Sequence, residues 1–459
     1  MREKWRNYTK EVKKVSLLGV PIITALLLQY LLQVVTVIVI GHLSDELLLS
    51  GVSIAVSFVR VTGFSLLLGM AGALETLCGQ AYGAEQYHKL GIYTYSCIIS
   101  LLLVCLPISI LWFFTDKLLI LTGQDPSISS VARSYSIFLI PNLFAYAILQ
   151  SLMRYLLTQS LILPLLFFSF VTLSLHIPIC WLLVVHFNFK VIGAALALGI
   201  SYWLNALFLC LYIFFSPSCN KTRAPFSSEA ISSIPKFIRL ALPSALMVCL
   251  EWWSYEVILL LSGLLPNPKV EASVLSICFS ITYLHYFIPY GLGATVSTRV
   301  SNELGAGNPE GAKVAVKVVG VLGIIESIVV SLTLFGCHKF LGYAFTSDTE
   351  IANNIASMWP LICLSILIDS FLGVLSGVAR GSGWQNLGAY VNLGSYYIVG
   401  IPLAAVLAFV VHLRVKGLWI GLVSGATLQT FLFALITTFT NWHQQALKAR
   451  ERVLEGGNT

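Results

Sequence analysis

Long apolar segments separated by short polar breaks run along almost the whole chain. Twelve of them lie at roughly 16–40, 50–77, 90–113, 129–152, 161–185, 191–215, 237–263, 271–298, 313–337, 351–377, 387–410 and 417–441. They lack the strict alternation of half-buried strands, and each has about the 20 residues that a helix needs to cross a bilayer. Because lipid offers no hydrogen bonds to the backbone, this pattern predicts an all-α polytopic membrane protein with twelve transmembrane helices.

The second half of the chain repeats the first. Pro21 recurs as Pro243, and the same offset relates further pairs in the first two helices of each half. These pairs are Gly41 and Gly263, Gly69 and Gly291, Thr76 and Thr298, and Gly83 and Gly305. Further along, the offset drifts only slightly, with Arg154 matching Arg380 and Asn205 matching Gln429. The chain therefore reads as two pseudo-symmetric six-helix lobes, an organisation typical of secondary transporters.

A polar stretch between the sixth and seventh apolar segments separates the two copies. Together with the apolar segments, this stretch divides the chain into five predicted parts. They are a basic amino terminus (1–15), an N-lobe (16–215), an inter-lobe linker (216–236), a C-lobe (237–441) and a carboxyl-terminal tail (442–459). Proline, serine and basic residues make the linker too polar for the bilayer.

Composition agrees with a membrane protein and orients it. Hydrophobic residues make up 57% of the chain, charged residues only 10%, and the mean hydropathy is +0.87, which excludes an ordinary soluble protein. Of the 27 Lys and Arg residues, 19 lie on the face that carries the amino terminus, seven lie on the other face, and Arg60 lies within a helix. The positive-inside rule therefore predicts that both termini and the linker are cytoplasmic.

The net charge of +7 follows from this topology and does not indicate nucleic-acid binding. The ten cysteines show no CxxC pairing, so we expect no metal site and no disulfide framework. No HExxH or GxSxG motif occurs, and no selectivity-filter loop is visible. These observations disfavour an intramembrane enzyme and a channel.

Acidic residues at membrane depth are the strongest candidates for function, because ionisable groups there are costly and usually face a cavity or a partner. Glu251 lies about 14 residues, or about 21 Å, into the seventh predicted helix, and Asp369 reaches a similar depth in the tenth. Glu256 lies about 140° around the helix from Glu251, whereas Tyr255 shares its face. Loss of solvation favours the protonated form of a carboxyl group, so these acids can exchange protons. The alternative is that they are buried, hydrogen-bonded carboxyls that only join helices.

Several other residues have two open interpretations. Pro21 and Pro243 can kink their helices and act as gates, or the kinks can serve packing. Arg60, about 15 Å into the second predicted helix, either pairs with a helix end or lines a cavity. His176 and His285 either belong to a proton path or are core residues. We interpret Arg154 and Arg380 as cytoplasmic anchors.

Four segments carry a specific resemblance: LLLGMAGALETLCGQAYGA, CLEWWSYEVILLLSGLLPNP, IPYGLGATVSTRVSNELGAGNPEGA and GVARGSGWQ. They resemble the multidrug and toxic compound extrusion (MATE) family, and most of all its plant detoxification branch. The resemblance spans essentially all twelve predicted helices. It implies a monomeric antiporter with two lobes arranged in a V around a cavity that opens alternately to each side. Such an antiporter exports organic cations, xenobiotics or specialised metabolites, in multidrug efflux, in exchange for protons or sodium ions.

The resemblance also assigns roles to residues. Glu251 and Asp369 match the family's ion-coupling carboxylates, with Glu256 as a further acid of the same helix. Residues 16–40 contain no acid, whereas the same helix of many prokaryotic relatives carries one. In the repeat, Gln29 is the residue equivalent to Glu251. Proton coupling is therefore expected in the C-lobe. The predicted substrate cavity comprises Gln29, Arg60, Trp252, Tyr255, Tyr283, Tyr286, Tyr290 and Tyr396.

The sequence leaves two alternative functions open. A sodium-coupled exporter would use the same fold, because carboxylates with backbone carbonyls can also hold Na⁺. A lipid or oligosaccharide flippase of the wider superfamily would show several cavity arginines, whereas this chain has one candidate. The expected partners are a small organic substrate, protons and the lipid bilayer, with no cofactor beyond the proton gradient. The plant branch uses both the plasma membrane and the vacuolar membrane, and the sequence does not choose between them.

Overall fold

Helices form all the regular structure in the residues that the computed structural model describes, which are 2–43, 45–345 and 349–454. The helices that carry the apolar segments are α1 (Arg2–Gly41), α2 (Glu46–Gly83), α3 (Tyr87–Phe113), α4 (Pro126–Phe138 with Ile140–Thr158), α5 (Leu163–His186), α6 (Lys190–Phe215), α7 (Ile234–Ser262), α8 (Pro268–Gly305), α9 (Pro309–Phe345), α10 (Thr349–Ser382), α11 (Gln385–Val410) and α12 (Arg414–Phe439). A last helix, α13 (Trp442–Leu454), follows them. The connections include the short helices Thr115–Leu121, Pro217–Cys219 and Ser228–Ser232.

The number of candidate membrane-spanning helices equals the predicted twelve when the bent helix α4 is counted as one span. Eleven helices in the described part of the chain are long and apolar enough to cross a bilayer, and the two halves of α4 make a twelfth. The prediction of an all-α polytopic fold is therefore confirmed. The fourth segment differs in being broken, because its halves meet at an angle of 48°. Pro141, in the first turn of the second half, has no N–H to continue the helical hydrogen bonds of the first.

The internal repeat extends to the backbone. A π-helical turn ends α5 at Leu182–His186, and another ends α11 at Val406–Val410, an equivalent position in the second copy. Each contains one extra residue per turn, which is uncommon inside α-helices. Duplicated sequence has therefore kept even this local irregularity at matching positions.

The described chain divides into two compact units. One, which we call the carboxyl-terminal unit, takes the chain up to Ile23 and Leu246–Ala449; the other, the amino-terminal unit, takes Thr24–Ala245 and the residues from Arg450 onward. Two of the three divisions fall inside α1 and α7, at positions that the repeat makes equivalent, just as it relates Pro21 to Pro243, and the third falls inside α13. The predicted lobe limits, 16–215 and 237–441, stay a prediction.

The amino-terminal unit has a continuous apolar core that draws on α2 to α6 and on the parts of α1 and α7 that belong to this unit. Aromatic contacts lie within it, such as the edge-to-face pair of Phe64 and Trp112, while the Trp112 indole donates a hydrogen bond of 2.9 Å to Thr62 Oγ1. The predicted linker is attached to this unit, since the Thr222 hydroxyl donates to Gln159 Oε1 at 2.7 Å. The linker therefore continues the folded structure of the amino-terminal unit.

Close backbone contact between α8 and α10 sets the geometry of the carboxyl-terminal unit. Three glycines four residues apart on α10, Gly373, Gly377 and Gly381, face α8. A Cβ atom added at Gly373 would lie 2.7 Å from Pro289 O, and one at Gly381 would lie 2.6 Å from Ser297 O. At Gly377 it would meet the α8 backbone itself. Only a stripe without side chains allows this approach, as is common where membrane helices pack.

Substitution of Gly377 by Ala should therefore destabilise the protein. The added methyl group forces α8 and α10 apart, and overpacking of this kind costs about 1–3 kcal/mol. We expect a lower apparent unfolding temperature in detergent. The control is Gly320→Ala on α9, where a new Cβ would meet nothing within 4 Å; its stability should be unchanged or slightly higher, because alanine favours helix over glycine. Equal stability of the two variants would contradict this packing argument.

Candidate functional site

The carboxyl-terminal unit contains a pocket between α7, α8 and α10. It is lined by Met247, Val248, Glu251, Trp252, Tyr255, Tyr286, Tyr290, Asp369, Leu372, Gly373, Ser376 and Arg380. Met247, Glu251 and Tyr255 are four residues apart on α7 and so share one face. The structure thus brings Glu251 and Asp369, which lie three helices apart in the sequence, to one site.

Glu251 is held by side-chain amides. Gln429 Nε2 on α12 donates to Glu251 Oε2 at 3.3 Å and also to Asn392 Oδ1 at 2.7 Å. One amide nitrogen can make both bonds because it carries two hydrogens. Asn392 Nδ2 in turn donates to Met247 O at 2.6 Å, and both amide side chains are fully buried. This chain of donors positions Glu251 without cancelling its charge.

Arg380 is the pocket's cation. It is 7% exposed, its guanidinium lies 5.7 Å from the centre of the Tyr290 ring, and it interacts electrostatically with Glu251. Sequence reasoning interpreted Arg380 as a cytoplasmic anchor, whereas the structure places it among the lining residues. With both acids ionised, the three groups carry one net negative charge.

Aromatic rings form one wall of the pocket. The Tyr286 ring stacks on Tyr290 at 5.4 Å and on Tyr283 at 6.1 Å, and Trp252 meets it edge to face at 6.3 Å. The three tyrosines lie three and four residues apart, so they follow one face of α8. Stacked electron-rich rings beside carboxylates suit a planar or cationic organic molecule.

Three predicted residues of this unit lie outside the pocket lining: Tyr283, which stacks on the lining residue Tyr286, and also Tyr396 and Glu256. Tyr396, on the π-helical turn Leu393–Gly400, is completely buried in the core, although it interacts electrostatically with Glu251. Glu256 is half-buried on α7 and directly follows Tyr255, the last residue of that helix to line the pocket.

The remaining predicted residues belong to the amino-terminal unit or to the unit divisions. Gln29 donates to Met153 Sδ at 3.3 Å and to Ser169 Oγ at 3.4 Å. Arg60 is half-buried and begins a π-helical turn, Arg60–Phe64, within α2. Pro21 and Pro243 each come two residues before the point at which the units divide.

The two histidines have different surroundings. His176 is fully buried between Ser201 Oγ, at 2.8 Å from Nδ1, and Thr36 Oγ1, at 3.1 Å from Nε2. Both of its ring nitrogens have hydroxyl partners, which agrees with a core histidine. His285 instead contacts an acid, Glu326, that sequence reasoning missed. Glu326 could have been found by the depth argument, because it lies inside the segment 313–337.

A family model fits each half of the chain. The model, MatE, matches residues 21–182 and again residues 243–406, so its two matches begin at the equivalent prolines of the repeat. The chain belongs to the MATE family. The double match also confirms the repeat seen in the sequence.

Full-length relatives place this MATE protein in the plant detoxification branch. Protein DETOXIFICATION 8 of Arabidopsis thaliana is 52% identical over 97% of this chain and 92% of the relative. Protein DETOXIFICATION 1 of the same plant is 52% identical over 98% of this chain and 94% of the relative. The predicted family and branch are therefore confirmed.

Solved structures agree. The crystal structure of the eukaryotic MATE transporter AtDTX14 matches with a TM-score of 0.94 and 51% identity, covering 97% of this chain and all of that one. An outward-facing multidrug resistance MATE transporter matches with a TM-score of 0.82 at 17% identity over 98% of this chain and 97% of that one, which shows the fold alone. The protein is an integral membrane protein, a secondary transporter that exports compounds and not an enzyme.

Replacement of Arg380 by Gln should strengthen the binding of an organic cation. At an effective dielectric constant of about 20, a positive charge about 10 Å away costs a bound cation about 1.7 kcal/mol, or more than tenfold in Kd. We expect a Kd for a fluorescent cation at pH 8 that is lower by about that factor. Arg414→Gln is the control, because Arg414 is 54% exposed in the same unit. An unchanged Kd in Arg380→Gln would show that Arg380 does not act on the cargo.

Proposed function

We propose that this protein is a proton-coupled antiporter that exports organic compounds, such as organic cations, xenobiotics or specialised metabolites. Glu251 and Asp369 bind the coupling protons, and Glu256 is a further acid of the path. The observation that carries the proposal is the pocket in which both carboxylates meet a wall of aromatic rings. The names of the full-length relatives, which refer to detoxification, support the cargo class.

Exchange follows from the charges in the pocket. With both acids ionised and Arg380 positive, the pocket has a net charge of −1 and attracts a cation. One proton makes the pocket neutral and a second makes it positive, so protonation weakens binding of the same cation. A ligand shifts a conformational equilibrium only through such a difference in affinity, and here proton and cargo favour different states. Binding of one therefore promotes release of the other.

The aromatic wall recognises cargo by shape. Tyrosine and tryptophan rings attract a cation through their faces and pack against planar apolar surfaces. Such contacts are tolerant, because any flat, positively charged molecule satisfies them. A pocket of this kind suits an exporter that acts on a range of compounds.

Equivalent positions in the other unit support coupling in the carboxyl-terminal unit. In the sequence repeat, Gln29 is the residue equivalent to Glu251. The later offset, which relates Arg154 to Arg380, makes Leu143 the residue equivalent to Asp369. Neither Gln29 nor Leu143 titrates. Duplication has therefore left one copy with the ionisable pair.

Topology, location and hinges complete the proposal. Both termini and the linker 216–236 lie in the cytoplasm, between an N-lobe of residues 16–215 and a C-lobe of residues 237–441, in the plasma membrane or the vacuolar membrane. The protein works as a monomer. Pro21 and Pro243 act as hinges, because each immediately precedes the point where its helix passes from one unit to the other.

Uptake into proteoliposomes tests the proposal. A fluorescent organic cation should accumulate in wild-type vesicles when an outward proton gradient is imposed. Glu251→Gln should reduce that accumulation at least tenfold, because it keeps the shape of the side chain and removes the titratable group. Glu310→Gln is the matched control, since it makes the same change on a side chain that is 67% exposed; its uptake should equal that of wild type.

Each alternative has a distinct outcome. Accumulation driven by a sodium gradient instead would replace the proton with Na⁺ as the coupling ion. Wild-type uptake in Glu251→Gln, with an unchanged pH profile, would remove Glu251 from the mechanism. Transport of lipid rather than the cation would favour the flippase.

A further inference from the structure

A second ionisable cluster lies in the carboxyl-terminal unit, outside the pocket. It consists of His285 on α8, Glu326 on α9 and Ser370 on α10. His285 Nε2 lies 2.8 Å from Glu326 Oε1, and the Ser370 hydroxyl donates to Glu326 Oε2 at 2.8 Å. Both oxygens of one carboxyl group are therefore engaged, each by a different helix.

The cluster shares two helices with the pocket. His285 precedes Tyr286 on α8 and Ser370 follows Asp369 on α10, and both Tyr286 and Asp369 line the pocket. Consecutive residues on a helix point about 100° apart. α8 and α10 thus present Tyr286 and Asp369 to the pocket, and His285 and Ser370 to α9. The cluster lies directly behind the pocket wall.

Burial of the ionisable side chains in this cluster costs free energy, which indicates that the cluster is functional. The side chains of His285 and Glu326 are 3% and 15% exposed, and Ser370 is fully buried. On α9, the neighbours Ile325 and Val329 are 54% and 57% exposed, as expected for a face toward lipid. Ionisable groups within a membrane are expensive and are usually functional. A histidine and a carboxyl group in contact can also share a proton between them.

Charge connects the cluster to the transport site. His285 interacts electrostatically with Asp369. The other titratable or charged groups of the adjoining pocket are Glu251, Tyr255, Tyr286, Tyr290 and Arg380. Elsewhere between α9 and α10, the Cys363 thiol donates to Ser331 O at 3.6 Å. Asp369 is the acid that the cluster adjoins along α10.

The repeat shows that the cluster is specific to this unit. Across the range of offsets that the repeat shows, Glu326 corresponds to a position within residues 100–104, which read SLLLV and contain no acid. His285 corresponds to Gly63 at the offset that relates Pro21 to Pro243. The cluster is thus found in the same unit as the pocket acids, and its acid and histidine have no counterpart in the other copy.

We propose that His285, Glu326 and Ser370 form a proton relay that serves Asp369, an inference that rests on the proposed proton-coupled function. Protonated Glu326 gives its proton to His285 Nε2, and the imidazole releases a proton from Nδ1 toward the Asp369 carboxylate. One proton moves and no net charge is created, because Glu326 becomes ionised as Asp369 becomes neutral. His285 Nδ1 is buried and has no hydrogen-bond partner within the described part of the chain, which leaves this nitrogen available. Ser370 positions Glu326.

Glu326→Gln separates relay from cargo binding. The variant keeps the hydrogen-bonding shape but cannot ionise, so it cannot deliver a proton. In proteoliposomes we expect exchange of labelled for unlabelled cation without a gradient to stay within about twofold of wild type. Accumulation driven by a proton gradient should fall at least tenfold, and its pH profile should shift. Glu310→Gln, on the same helix and largely exposed, should behave as wild type in both assays.

A second variant covers a folding defect. If Glu326→Gln does not insert, Ser370→Ala takes its place, because it removes one hydrogen bond and keeps the imidazole and the carboxyl group. It should shift the pH profile of uptake without slowing gradient-free exchange; an unchanged profile would overturn the relay. A defect in exchange equal to the defect in accumulation would overturn it too, since it would indicate a structural role.

Failure of the relay is distinguishable from failure of the proposed function. Proton-driven uptake that is lost in Glu251→Gln but intact in Glu326→Gln would overturn the relay alone. Wild-type protein that ignores a proton gradient would overturn both. Loss of proton-driven accumulation in both variants, with exchange retained in Glu326→Gln, is the result that the relay predicts.

Discussion

The cost of an unpaired charge away from water is the constraint on which the rest of this structure depends. Lipid and packed side chains solvate a carboxylate poorly, so an acid at that depth must find donors, meet a cation or take up a proton. Glu251 accepts a hydrogen bond from the side-chain amide of Gln429, and it interacts electrostatically with Arg380. Neither neutralises it fully. A proton or a cationic cargo can each balance the remaining negative charge, and competition between the two is the basis of the exchange that we propose.

Helix packing turns this electrostatic constraint into a site. The glycine stripe of α10 brings its backbone against α8, and this contact sets the distance between Asp369 on one helix and the tyrosines of the other. The same two helices present His285 and Ser370 on their other faces, toward Glu326. One close helix pair therefore holds the candidate pocket on one side and the cluster of His285, Glu326 and Ser370 on the other. A change in its packing would alter both together.

Much of the fold could be predicted from the sequence, because lipid imposes a length and a composition on each spanning helix. The repeat of Pro21 at Pro243 identified the duplication, and counting residues along each helix identified Glu251 and Asp369. What the sequence did not show depends on contacts between distant segments. The break in α4 follows from Pro141, whose effect depends on whether neighbouring helices hold the chain straight. Two of the divisions between the units fall inside α1 and α7, where no polar break in the sequence marks them.

Two site residues were missed for related reasons. Arg380 lies near the end of α10, and its charge suggested a cytoplasmic anchor, yet its long side chain reaches back to Tyr290. Glu326 has no other charged residue or histidine near it in the sequence between Lys317 and His338, and its partner His285 is 41 residues away on another helix. Pattern and depth describe one helix at a time, whereas both residues derive their importance from a pair of helices.

Proton release on cargo binding directly measures the competition between proton and cargo for Glu251 and Asp369. Purified protein in weak buffer at pH 7.5 should release protons when a saturating organic cation is added, as read by a pH indicator, because cargo and proton compete for the same carboxylates. We expect this proton release for wild type, and we expect no release when Glu251→Gln and Asp369→Asn are combined. Cation binding without proton release in wild type, or equal release from the double variant, would contradict it.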